Sequence, residues 1–237
     1  MPHEFNDGLF GSGHKRLFRR VTTFCTPDHD ARRLFDRLDR GGEVAFRAHV
    51  ADLADEKVSD AGTQILMHEF SADGVVFERN GVCITAFAVN HGPLIKPAYG
   101  YRVDFAGRSV LLSGDTKFDE SLIAQGADVD LLIHKVAIAP KPLLDAPWAK
   151  AIINHHTTPE EAGVVFSRTK PRMDVFSHIT LIGDADNPRP GDKDIEARTR
   201  TTWSGNLVVG TDLTRFVLTA DAVVTKRIDH ATGVYEK

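Results

Sequence analysis

Three side chains able to bind a divalent cation, His91, Asp115 and His178, each follow a run of residues that reads as a buried strand. Imidazole and carboxylate groups together suit zinc or a similar divalent metal. In layered α/β proteins, ligand sites gather at the carboxyl ends of strands. Taken singly, each residue has an ordinary rival. A His at a strand end is commonly a hydrogen-bonded structural residue, and Gly114-Asp115-Thr116 is a common turn. The convergence of the three points to a metal centre. Of the 11 His, the group His91, His134, His155, His156 and His178 falls in this one stretch.

The elements that must position these residues are legible from pattern. Val75 to Arg79 and Val82 to Val89 flank Asn80-Gly81, the dipeptide best suited to a tight hairpin turn, and the hairpin delivers His91 at its far end. A second hairpin, Tyr99 to Phe105 and Arg108 to Ser113 about Ala106-Gly107, leads into Gly114-Asp115. The order then becomes helix, strand, loop, helix, strand, with Val129 to Ile133 entering His134 and Met173 to Ser177 entering His178. Thr158-Pro159-Glu160-Glu161 predicts a helix start with a capping box, placing His155 and His156 just ahead of a helix N-terminus. Earlier in the chain, a strand at Val21 to Cys25, a helix at Ala31 to Leu38 and strands at Glu43 to Val50 and Gln64 to Glu69 are expected. Later, a charged helix at Asp192 to Arg200 and short strands at Leu207 to Gly210 and Phe216 to Thr219 complete the reading.

The 237 residues suit a single α/β domain with a substantial core. Charged residues make up 26% and the net charge is -4, so no global positive field favours nucleic acid or an anionic membrane surface. No apolar run is long enough to cross a bilayer, and Met1 to Phe5 lacks the pattern of a signal peptide, so a cytoplasmic protein is expected. Cys25 and Cys83 form no close pair, which argues against a disulfide framework or a thiolate metal site.

At the candidate ligands the chain resembles the metallo-β-lactamase-fold hydrolases of the ribonuclease Z and arylsulfatase-like branch. Val89-Asn90-His91-Gly92-Pro93 followed by Tyr99-Gly100-Tyr101 resembles that family's third metal motif, and Ser113-Gly114-Asp115-Thr116 resembles the motif whose Asp bridges two zinc ions. Leu131 to Lys135 stands in the place of its His-Glu-Ala-Thr loop, His156-Thr157-Thr158 in that of its His-Ser-Thr loop, and Phe176-Ser177-His178 in that of its last metal His. The resemblance implies a four-layer αββα sandwich with two zinc ions at one edge. In it, His91 would bind one ion, His178 the other, and Asp115 both. Water activated between the ions would attack a phosphorus, sulfur or carbonyl centre, and His156 would protonate the leaving group. His155 could be an exposed neighbour without a role.

Three departures from the family pattern shape the expectations. The His-x-His-x-Asp-His signature occurs nowhere in the sequence, and His3 with Asp7 is no substitute. The resemblance thus implies that roughly sixty to eighty residues are missing from the start. It also implies an N-terminally incomplete fold, weak or partial metal binding, and a homo-oligomer that covers what is left exposed. Lys135 stands where the family has a Glu, so a proton-donor role for His156 is in doubt. Lys135 is either a positive contact for an anionic substrate or a solvated loop lysine. Only a short hairpin separates Tyr101 from Ser113, where ribonuclease Z carries a long arm that grips transfer RNA. A small anionic phosphate or sulfate ester is therefore the expected substrate, rather than transfer RNA. The competing expectation is an inactive binding or oligomerisation module derived from such an enzyme.

Overall fold

The structure is a computed structural model that describes residues 69–229 and 234–235. The elements expected before residue 69 lie outside the described residues. Packing divides the chain into two units, Met1–Ser71 and Ala72–Lys237, and the strands and helices named below all belong to the second.

Seven strands form one mixed sheet in sequence order: β1 (Gly74–Arg79), β2 (Val82–Ala88), β3 (Tyr99–Phe105), β4 (Arg108–Leu112), β5 (Leu131–Ile138), β6 (Met173–Leu181) and β7 (Leu207–Val209). The pairs from β1 to β4 are antiparallel, and β4 to β7 run parallel. Two-residue turns close the hairpins. Asn80 and Gly81 adopt φ of 52° and 79°, and Ala106 and Gly107 adopt 49° and 71°, which matches the right-handed twist of the flanking strands. The parallel pairs need crossovers, and helices supply them. α1 (Glu120–Gly126) joins β4 to β5, α2 (Pro147–Ile153) and α3 (Pro159–Thr169) join β5 to β6, and α4 (Asp192–Thr199) joins β6 to β7. A hairpin of β8 (Arg215–Leu218) with β9 (Val223–Lys226) and a short pair, β10 (Ile228–Asp229) with β11 (Val234–Tyr235), come last.

The core lies between the sheet and the helices. Phe87, Leu111, Leu132 and Phe176 from the strands meet Leu122 of α1, Val165 and Phe166 of α3 and Ile195 of α4, all essentially without solvent contact. Helix α3 is fixed at both ends. Thr158 and Glu161 form the expected capping box, and Lys170 ends the helix in the left-handed region at φ 51°. At the amino end of the parallel strands, Asp130 accepts from Arg108 (3.2 Å), Arg172 (2.6 Å) and the Ser109 amide (2.8 Å), tying β4, β5 and the approach to β6 together. The described residues form an α/β sandwich with a mixed sheet and four helices, as expected of a metallo-β-lactamase fold.

Three local expectations are corrected. The strands expected to stop before His134 and His178 run on to Ile138 and Leu181, because Val136-Ala137-Ile138 and Ile179-Thr180-Leu181 keep pairing. The register slips by one between them: Lys135 faces Ser177 and Val136 faces Ile179, so His178 is the extra residue of a bulge, at φ 49°. The stretch read as a loop before His155 contains the short helix α2, started by Pro147 at its first position.

Candidate metal centre

Asp115 sits in the loop after β4, and backbone constraints decide where its carboxylate points. Gly114 turns the chain at φ 64°, and a Cβ there would lie 2.1 Å from the Tyr99 carbonyl oxygen, so only glycine fits. Ser113 receives no freedom either: its amide donates to the Ile133 carbonyl, and its hydroxyl accepts from the Lys135 amide at 3.0 Å. The Thr116 hydroxyl and the Lys117 amide both donate to the Asn90 carbonyl, joining this loop to the one that carries His91. The Thr157 hydroxyl donates to the Thr116 carbonyl, and the Ala137 amide donates to the Thr157 carbonyl. Loops far apart in sequence are thereby stitched into one rim.

Four basic groups converge on Asp115. His91 Nε2 lies 3.1 Å and His178 Nε2 3.6 Å from Oδ2, while Lys135 Nζ lies 2.5 Å and His156 Nε2 3.6 Å from Oδ1. The ligand atoms of His91, Asp115 and His156 all fall within 4.8 Å of one another, the one such cluster among the described residues. His156, expected as the leaving-group acid, is inside that cluster. His178, expected as a ligand, is outside it and half exposed.

The far side of each ring explains its near side. His91 Nδ1 is 2.8 Å from the His155 carbonyl oxygen, and His156 Nδ1 is 2.6 Å from that of Ile152. A carbonyl only accepts, so each Nδ1 carries a proton, and a neutral ring then presents a lone pair at Nε2. Both lone pairs face carboxylate oxygens, an arrangement that repels unless a cation or an added proton lies between. Backbone carbonyls that fix the tautomer of a metal-binding His are the usual support of such sites. The three donors therefore fit one divalent cation, which at a catalytic zinc takes three protein ligands. His155 is the residue whose function the sequence reading missed. Its carbonyl orients His91, and its own Nδ1 donates to the His91 carbonyl at 3.0 Å. Gly92, at φ 99°, leaves the space that the His155 ring fills.

Lys135 corrects a further expectation. It is no loop lysine: it lies in β5, its side chain is 1% exposed, and it is paired with Asp115. Burial pulls its pKa down, against the hydrogen bond and charge of Asp115, which push it up. Burial likewise lowers the pKa of His178, with Asp115 opposing and the charges of Lys135 and His91 adding to the fall. His134 is buried on the helix-covered face, edge-on to Phe166, and burial drives its pKa to about 4. It is a neutral core residue.

Fold and site together define the class. Residues 24–179 match the family model described as the β-lactamase superfamily domain, and the chain belongs to this metallo-β-lactamase superfamily. Within it, the chain is similar to the ribonuclease Z of Mycobacterium marinum, with 32% identity over 183 residues covering 74% of this chain and 59% of that one. It is also similar to a putative ribonuclease Z of Mycobacterium tuberculosis, with 32% identity and 74% of each chain covered. Among solved structures, the metallo-β-lactamase fold protein YhfI from Bacillus subtilis aligns at 18% identity and a TM-score of 0.45, covering 61% of this chain and 52% of that one. The chain spans about three fifths of the length of the first of these relatives.

Proposed function

We propose that this protein is a metal-dependent hydrolase of small anionic esters, of the phosphodiester or sulfate type. The observation that carries the reading is the pair of imidazole lone pairs, His91 Nε2 and His156 Nε2, held by backbone carbonyls against the Asp115 carboxylate. In this reading, zinc or a related divalent ion is held by His91, Asp115 and His156, and it supplies Lewis-acid activation of water and of the ester. The chain's own residues do the rest. His178 stands on the open side of Asp115, presented by its bulge, where its ring can hydrogen-bond the substrate. The bulge backbone is in a region that costs free energy for a non-glycine residue, and such strain concentrates at working sites.

Two further parts of the reading concern partners. The two-residue turn at Ala106-Gly107 leaves no long arm between β3 and β4, which favours a small ester over transfer RNA. No described helix is long and apolar enough to cross a membrane. Phe77, Phe105 and Leu112 expose apolar surface on one face of the sheet, in keeping with a homo-oligomer, which sedimentation velocity would reveal.

The competing reading, a metal-free binding module, is favoured by Lys135, which satisfies one Asp115 oxygen without any metal. Metal content and hydrolysis separate the two. Purified protein dialysed against zinc should retain it and cleave bis(4-nitrophenyl) phosphate or 4-nitrophenyl sulfate. His156→Ala should lose both properties, whereas His178→Ala should keep the metal and lose about tenfold or more in kcat/KM, the scale of a lost hydrogen bond to a charged group. Hydrolysis that survives chelation and His156→Ala would sink the proposal. Failure of the wild-type protein to retain metal would leave the module.

A further inference from the structure

The two oxygens of Asp115 have different partners. Oδ2 faces His91 at 3.1 Å and His178 at 3.6 Å, whereas Oδ1 is paired with the Lys135 ammonium at 2.5 Å and faces His156 at 3.6 Å. A carboxylate that bridges two metal ions needs lone pairs on both sides, and here one side already holds a cation. That cation is not easily displaced. Lys135 is 1% exposed, its strand is buried on both faces, and its amide is held by the Ser113 hydroxyl in the same loop that carries Asp115. A long, freely rotating surface lysine could swing away when a metal arrived. This one has no solvent to swing into.

We infer that Lys135 is a tethered cation occupying the second metal position, so that the centre takes one divalent ion, held by His91, Asp115 and His156, while the Lys135 side chain stays paired with Asp115 Oδ1. The inference rests on the metal-dependent reading above. Its consequences run in two opposite directions. Toward the divalent ion, the ammonium is a like charge sharing the same carboxylate, so it weakens metal binding. Toward an anionic ester, it offsets the charge of Asp115 and leaves the loaded centre more positive than one ion and one carboxylate alone would be. Lys135 is thus a positioning and charge-setting residue, too buried to touch the substrate itself.

The test uses the full chain and two probes, zinc and inorganic phosphate. Wild-type protein equilibrated with excess zinc should carry one ion per chain by elemental analysis. With manganese it should give the six-line paramagnetic resonance spectrum of an isolated ion rather than an exchange-coupled pair. Lys135→Gln should bind zinc on the order of tenfold more tightly by calorimetry, and its zinc-loaded form should bind inorganic phosphate on the order of tenfold more weakly. A lysine that merely braced the loop would give weaker binding of both when removed. Two ions per wild-type chain, an exchange-coupled manganese spectrum, or a Lys135→Gln variant with weaker zinc binding would overturn the inference and leave the metal-dependent reading intact. No metal on the wild-type chain would overturn both. The wild-type stoichiometry and spectrum decide the matter even if the variant fails to fold.

Discussion

Asp174 should make this protein less stable as the pH rises from 5 to 8, and its replacement by Asn should abolish that trend. The residue lies on the helix-covered face of β6, four positions before His178, with no solvent exposure. Neither carboxylate oxygen has a hydrogen-bond partner. The Trp203 indole N–H and the Arg200 charge lie close enough to favour the anion, but that indole also lacks a bonded partner. Burial dominates, raising the pKa from 3.8 to about 8. An acid whose folded-state pKa is raised stays protonated in the folded chain while the unfolded chain ionises. Its effect is therefore absent below about pH 4, grows with each pH unit up to about 8, and then levels off. With about 1.4 kcal/mol per pKa unit, the total reaches on the order of 5 kcal/mol. Asn cannot ionise and has nearly the same shape. Urea denaturation followed by far-ultraviolet circular dichroism, in chelator to remove metal linkage, should give similar midpoints for the two proteins near pH 4.5. At pH 8 the Asn variant should be more stable by several kcal/mol. Taking the difference between the proteins cancels the titration of the histidines. Parallel profiles from pH 5 to 8 would show that Asp174 is ionised in the folded chain, and the burial argument would be wrong.

Gly92→Ala places a Cβ 2.2 Å from the His155 ring at a backbone angle of 99°, so it should displace His155 and the carbonyl that orients His91. We expect a loss of about 1–3 kcal/mol in stability and of 10- to 100-fold in zinc affinity, read by denaturation and by competition with a zinc chelator. Unchanged zinc affinity would mean that His155 does not hold His91 in place. Asp130→Ala leaves the Arg108 and Arg172 guanidinium groups without their shared partner at the base of the sheet. It should cost about 3 kcal/mol at pH 7. Although burial raises the Asp130 pKa, the Arg172 hydrogen bond, the Ser109 amide and the Arg108 charge outweigh it and hold the pKa below 3.8. A depressed carboxylate stabilises above its unfolded-state value and loses that effect as pH falls through its folded value. The gap between wild type and Asp130→Ala should thus stay constant from pH 8 to 5 and close below about pH 4. A gap that persisted in acid would trace the loss to packing.

Much of the scaffold was legible because short-range chemistry dictates it. Asn80-Gly81 admits a tight hairpin, Thr158 through Glu161 can satisfy a helix start, and the apolar runs of β5 and β6 suit strands covered on both faces. The end of β6 was not legible in the same way. A bulge is a relation between two strands, and nothing in Ser177-His178-Ile179 alone says that Val136 will pair beyond it. The consequence reaches the site, because the bulge turns His178 onto the Asp115 side at an angle that an uninterrupted strand would not give.

Which nitrogen each histidine presents to Asp115 was hidden for a related reason. Residue type marks an imidazole as a possible ligand, but which nitrogen keeps the proton depends on carbonyl oxygens supplied by distant or irregular backbone. For His156 that carbonyl is Ile152 in α2, a helix too short for its periodicity to show. For His91 it is His155, 64 positions away. Lys135 carried a better clue than its loop-like motif suggested. Lysine is among the residues least often buried without a partner, and here it sits inside a strand whose neighbours are almost all apolar. Such a position requires an anion within reach of a four-carbon stem. The carboxylate nearest by topology is the one at the end of the adjacent parallel strand, two residues past Ser113, whose hydroxyl holds the Lys135 amide. The same pairing that aligns β4 with β5 thus brings ammonium and carboxylate together. The pairing of Lys135 with Asp115 is therefore set by strand register.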